Sequence, residues 1–132
     1  MTCFVSHTSV DCVDAFALSE FWKSVLGYVD VAADPNEAGD EECPILDPST
    51  GHTLLFIEVP EANAGKNRIH LDIRPRHQSR DEEVQRLKGL GARVLTDRRD
   101  EHGLGQGWVT MADPEGNEFC VLRSEPERTG TA

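Results

Sequence analysis

Two stretches of this chain are variations on one another, and that repeat restricts the fold more than any other feature. LGYVDV, starting at Leu26, is matched by LGARVL, starting at Leu90. His7 precedes Gly27, and His70 precedes Gly91, at intervals that differ by a single residue. Each half reads as strand, helix, then three strands. A repeat of this size predicts two similar modules, each with one sheet face covered by its own helix. Their free faces would combine into one concave surface, with His7 and His70 in equivalent places.

Local signals support that order. Cys3 to Cys12 alternates with a period of two, with Phe4, Thr8, Val10 and Cys12 on one parity and His7, Ser9 and Asp11 on the other. Asp14 is placed to cap a helix from Ala15 to Leu26, whose stripe is Leu18, Phe21, Trp22, Val25 and Leu26, with Gly27 as its stop. Strands are predicted over Tyr28–Ala32, Pro44–Leu46 and Thr53–Val59. In the second half Asn67–Arg74 reads as a strand with Ile69, Leu71 and Ile73 on one face and His70, Asp72 and Arg74 on the other. Ser79 and Glu82 have the spacing of a capping box that opens a helix running to about Leu90. A strand follows over Ala92–Thr96. The chain closes on a hairpin, Trp108 to Leu122, around Asp113-Pro114-Glu115-Gly116, in which proline and glycine suit a type I turn.

The length of 132 residues predicts a single domain, with module one over about 1–62, module two over about 66–124, and 125–132 as a tail. A net charge of -11 without a basic stripe argues against nucleic acid and anionic membranes as partners. No apolar stretch approaches a transmembrane length, and the first residues lack the pattern of a signal peptide. The four cysteines include no CxxC pair, so reduced thiols and a cytoplasmic setting are expected.

Four stretches together carry a family likeness: His7 to Asp14, FWKSVLGY from Phe21, KNRIHLDI from Lys66, and DPEGNEFCVL from Asp113. The chain resembles the vicinal oxygen chelate superfamily, and within it the glyoxalase-like and bleomycin-resistance proteins, over nearly its whole length. The resemblance implies an α+β fold of two βαβββ modules forming a curved sheet around a central cleft, often in a homodimer. It also implies ligands on the first and last strands of each module, which here are His7, Glu58, His70 and Cys120. Metal-dependent glyoxalases usually carry a carboxylate at the last of these positions, so Cys120 is a departure.

Two imidazoles, a carboxylate and a thiolate suit a divalent metal such as Zn, Ni or Fe. With an open position, such an ion could polarise a substrate carbonyl while Glu58 or His70 moves a proton. That reading is a glyoxalase-like lyase or isomerase acting on a small organic molecule. The alternative is a metal-free, drug-binding protein of the bleomycin-resistance type, with Cys120 a small buried hydrophobe and His70 paired with Asp72 or Arg74 in a polar lining. A ring-cleaving dioxygenase is a third reading, although such enzymes commonly have longer chains.

Asp11, Asp72, Arg74 and Trp108 are candidate substrate contacts. His7 and Asp11 are too far apart along one strand to touch, whereas His70 and Asp72 are close enough for a hydrogen bond. Asp97 to Gly107 is a charged, glycine-rich loop that includes GLGQG. It precedes a strand, not a helix, so it is not a phosphate cradle. A lip over the cleft, with His102 exposed on it, is the expectation there.

Overall fold

A computed structural model describes residues 1–99 and 107–130. The chain divides into two units, Met1–Asn63 and Ala64–Ala132. The first contains β1 (Thr8–Cys12), α1 (Ala15–Leu26), β2 (Val29–Asp30), β3 (Glu42–Leu46) and β4 (Thr53–Glu58). The second contains β5 (Leu71–Ile73), α2 (Arg80–Gly89), β6 (Arg93–Asp97), β7 (Val109–Ala112), β8 (Glu118–Val121) and α3 (Glu125–Thr129). Each unit forms a four-stranded sheet, in the orders β1-β4-β3-β2 and β5-β8-β7-β6. The repeat seen in the sequence is therefore a repeat of topology. In both units the first strand runs parallel to the last, and the remaining pairs are antiparallel.

In the first unit, the Asp14 side chain accepts the Ala17 amide at 3.0 Å and so satisfies one free donor of the first turn of α1. Gly27 ends the helix at φ 72°, its amide donating to the Lys23 carbonyl at 2.8 Å. Leu18, Phe21, Trp22 and Val25 of α1 are buried, as are Cys43, Ile45, Leu54 and Phe56 on one parity of β3 and β4. Those strand residues lie directly opposite one another, Cys43 beside Phe56 and Ile45 beside Leu54. They form the helix-side face of this sheet.

The second unit repeats the plan. Ser79 and Glu82 form the capping box of α2, and Leu90 is its C-cap, with Gly91 following at φ 113°. Val84 and Leu87 of α2 are buried, together with Val109, Met111, Phe119 and Val121 on one parity of β7 and β8. The closing hairpin turns on Asp113, which is 1% exposed. Its Oδ1 accepts the amides of Glu115 at 2.9 Å and Asn117 at 3.0 Å, and the Gly116 amide donates to its carbonyl at 2.8 Å. Among the described residues, no helix is long and apolar enough to cross a membrane.

Three sequence expectations are corrected. The first strand starts at Thr8 and leaves Phe4 88% exposed, because β4 begins at Thr53 and pairs no residue before Thr8. The strand expected over Asn67–Arg74 shrinks to Leu71–Ile73, whose pairing with β8 starts at Phe119; Ile69 is 85% exposed and His70 stands just ahead of the strand. The tail holds a helix, α3, capped by Ser124 and Glu127 in a second capping box. Glu127 also accepts the Arg80 amide at 2.9 Å, which ties α3 to the start of α2.

Candidate metal and ligand site

Alternation on β8 decides what the second sheet offers. Phe119 and Val121 are buried on the helix side, so Glu118 and Cys120 belong to the other face. Register then sets a row across three strands: Asp72 of β5 and Thr110 of β7 lie opposite Cys120 on either side. His70 joins the row because it is two residues before Asp72, and its Nδ1 is 3.1 Å from Asp72 Oδ1. One donor atom from each of His70, Asp72 and Cys120 lies within 4.8 Å of the other two. Among the described residues this is the one group of three or more such side chains.

The row lies in a cavity of about 390 Å³. His70 and Asp72 are exposed at its mouth, while Cys120 is only 7% exposed. Burial pushes the Cys120 thiol above its usual range; the hydrogen bond with Thr110 pulls the other way, and the Asp72 charge adds to the rise. Thr110 Oγ1 and Cys120 Sγ are 3.5 Å apart. Two cations line the same cavity, Lys66 and Arg98. Lys66 Nζ is 2.9 Å from Glu118 Oε2, an ion pair whose lysine is 79% exposed and so contributes little to stability. Leu122 and Trp108 add apolar surface.

The position of Trp108 depends on its neighbour. Arg98 and Trp108 exchange backbone hydrogen bonds, and Gly107 sits beside them at φ 74°. A Cβ at Gly107 would fall 2.0 Å from the Arg98 carbonyl oxygen, so only glycine fits. The buried Arg80 donates through Nη1 to the Gly107 carbonyl at 2.9 Å, which anchors this wall of the cavity to α2.

The remaining residues singled out in the sequence are placed as follows. His7 is exposed ahead of β1, with Nδ1 3.0 Å from Ser6 Oγ. Asp11 is exposed on β1 opposite Ile57. Glu58 shares its parity with Leu54 and Phe56, which puts it on the helix side of β4, where its Oε2 accepts the Ala15 amide at 3.1 Å. A carboxylate at the start of α1 is favoured by the helix dipole. Its register with Cys12 puts it five residues along the ladder from His7, roughly 16 Å at about 3.3 Å per residue. Counted from the turn glycines Gly51 and Gly116, the residue standing where Cys120 stands is Leu55, opposite Ser9 as Cys120 is opposite Asp72. The first unit thus keeps the histidine of the repeat, but has Ser9 and Leu55 in place of the carboxylate and the thiol.

Arg74 donates through Nη1 to the Arg123 carbonyl at 2.8 Å and lies 3.8 Å from Glu125, which ties β5 to the C-terminal segment. His102 and most of the expected lip fall outside the described residues. Sequence reasoning missed Lys66, Arg98, Thr110, Glu118 and Leu122. Parity could have found three of them, since Glu118 and Leu122 share the face of Cys120 and Thr110 shares that of Trp108.

Paired βαβββ units with this strand order define an α+β protein of the vicinal oxygen chelate type. The chain belongs to the glyoxalase-like domain family, whose model matches residues 7–122. No curated protein sequence matches it significantly. Among solved structures, a possible glyoxalase from Bacillus cereus is 20% identical, with 92% of this chain and 99% of that one covered and a TM-score of 0.65. FosX, a genomically encoded fosfomycin resistance protein from Listeria monocytogenes, is 17% identical over 100% of both chains, with a TM-score of 0.69. A mutant of that FosX, complexed with Mn(II) and 1S,2S-dihydroxypropylphosphonic acid, is 18% identical with a TM-score of 0.68, covering 97% of this chain and 96% of its own. At these identities the likeness is one of fold.

Proposed function

We propose that the chain is a glyoxalase-like protein that acts on a small organic molecule at the polar face of its second sheet, as a metal-assisted lyase or isomerase. The observation that carries this reading is the convergence of His70, Asp72 and Cys120 in a cavity large enough for such a ligand. One imidazole, one carboxylate and one thiol suit a divalent ion, and the mutual limit of 4.8 Å needs only small side-chain adjustment to reach bonding distances of about 2.0–2.3 Å. When bound, the ion would supply Lewis acidity toward a substrate oxygen.

The chain's own residues do the rest. Asp72 orients the imidazole of His70 and so sets how its ring would meet an ion at the cavity mouth. Lys66 and Arg98 favour an oxygen-rich or anionic end of the ligand, and Trp108 and Leu122 its carbon skeleton. The phosphonic acid bound by the Listeria FosX is a small molecule of that kind. A homodimer in the cytoplasm, with all four cysteines free, belongs to the same reading.

The burial of Cys120 and the upward push on its thiol favour a second reading, in which the same cavity binds its ligand without metal. Metal analysis of protein purified without added metal or chelator separates the two. About one ion per chain is expected, followed by turnover in a screen of small carbonyl compounds. No ion, even after incubation with Zn²⁺, Ni²⁺ and Fe²⁺, leaves metal-free binding.

A further inference from the structure

We infer that the ion selected by His70, Asp72 and Cys120 is thiophilic, of the Zn(II) and Co(II) kind, and that the site rejects Mn(II) and Mg(II). The inference deepens the metal-assisted reading and rests on it. Hard ions such as Mg(II) and Mn(II) bind through sets rich in carboxylate, carbonyl and water oxygens, whereas thiolate and imidazole favour Zn(II). Within the group, Asp72 is the one carboxylate. Glu118, the other carboxylate among the described residues that line the cavity, is paired with Lys66.

The thiol is also built in. Cys120 is held between Asp72 and Thr110 by register on both sides, in a strand whose neighbouring residues are fully buried. Thr110 is its hydroxyl partner at 3.5 Å and can donate to the sulfur once it is a thiolate. A hydroxyl so placed is a positioning group for the ligand, and outer partners of this sort tune affinity by about tenfold to 100-fold. Unlike a closed structural site, this one offers three protein donors, two of them exposed at the cavity mouth. Room is left for water or substrate.

The test is a Co(II) titration of the reduced, chelator-stripped full chain, read by absorbance and followed by competition. The expected results are an intense near-ultraviolet sulfur-to-cobalt band at about one ion per chain, displacement by Zn(II), and no displacement by Mn(II) or Mg(II) in 100-fold excess. Cys120→Ser should lose the band, and Cys120→Asp should bind Mn(II) and Zn(II) with affinities closer together. Thr110→Val should keep the band and weaken Zn(II) binding about tenfold, with circular dichroism confirming that each variant is folded. Displacement by Mn(II), or an unchanged band in Cys120→Ser, overturns the inference while the metal reading stands. Failure of the folded wild-type chain to bind any of these ions overturns both.

Discussion

His70→Ala is expected to weaken divalent-ion binding by on the order of 100-fold or more while changing folding stability by less than about 0.5 kcal/mol. The two effects separate because of where the residue stands. His70 lies ahead of β5, is exposed, and has its hydrogen bond to Asp72, also exposed. The imidazole therefore contributes little to the core, and the alanine variant should fold as the parent does. It does, however, offer the one nitrogen donor of the group. Calorimetric titration with Zn²⁺, paired with urea denaturation of the metal-free proteins, measures both quantities. Wild-type affinity in the variant would remove His70 from the site.

Asp113→Ala should have the opposite profile, with a loss of about 3 kcal/mol of stability in the absence of any ligand. The carboxylate is buried and accepts the Glu115 and Asn117 amides as well as the Asn117 side-chain amide at 3.0 Å. Alanine would strand those donors within the turn of the closing hairpin, where each unmet group costs about 1–3 kcal/mol and relaxation recovers part of the sum. Asp113→Asn keeps one acceptor oxygen and should lose about half as much. Since this turn joins β7 to β8, it also fixes Thr110 beside Cys120, and metal affinity should fall together with stability. Urea midpoints for the three proteins test the order. A loss below about 1 kcal/mol in the alanine variant would mean that the turn is held by its backbone alone.

Much of this was legible in the residues. The repeat, the two long helices with their caps, and the closing hairpin all follow from short-range rules. Asp14, Gly27, Ser79 and Glu82 act within a few residues of where they stand in sequence. Alternation likewise put His70 and Asp72 on one face of their stretch, apart from Ile69, Leu71 and Ile73.

Strand ends were less legible, because they depend on the partner's length. Phe4 and Ile69 look like strand residues until β4 and β8 prove too short to pair with them. Glu58 shows the limit most clearly. Its parity with Leu54 and Phe56 was visible in the sequence, but the family pattern suggested a ligand, and only its bond to the Ala15 amide shows what the carboxylate does there. The wall of the cavity was hidden for another reason. Lys66 and Arg98 are brought to Cys120 by tertiary folding, and no local pattern announces them.

The most direct test of the account is X-ray absorption at the zinc edge of the reduced, fully loaded protein. One sulfur at about 2.3 Å and nitrogen or oxygen neighbours at about 2.0–2.1 Å are expected, with the sulfur shell absent in Cys120→Ser. A shell of nitrogen and oxygen alone in the wild-type protein would contradict it, placing the ion away from Cys120.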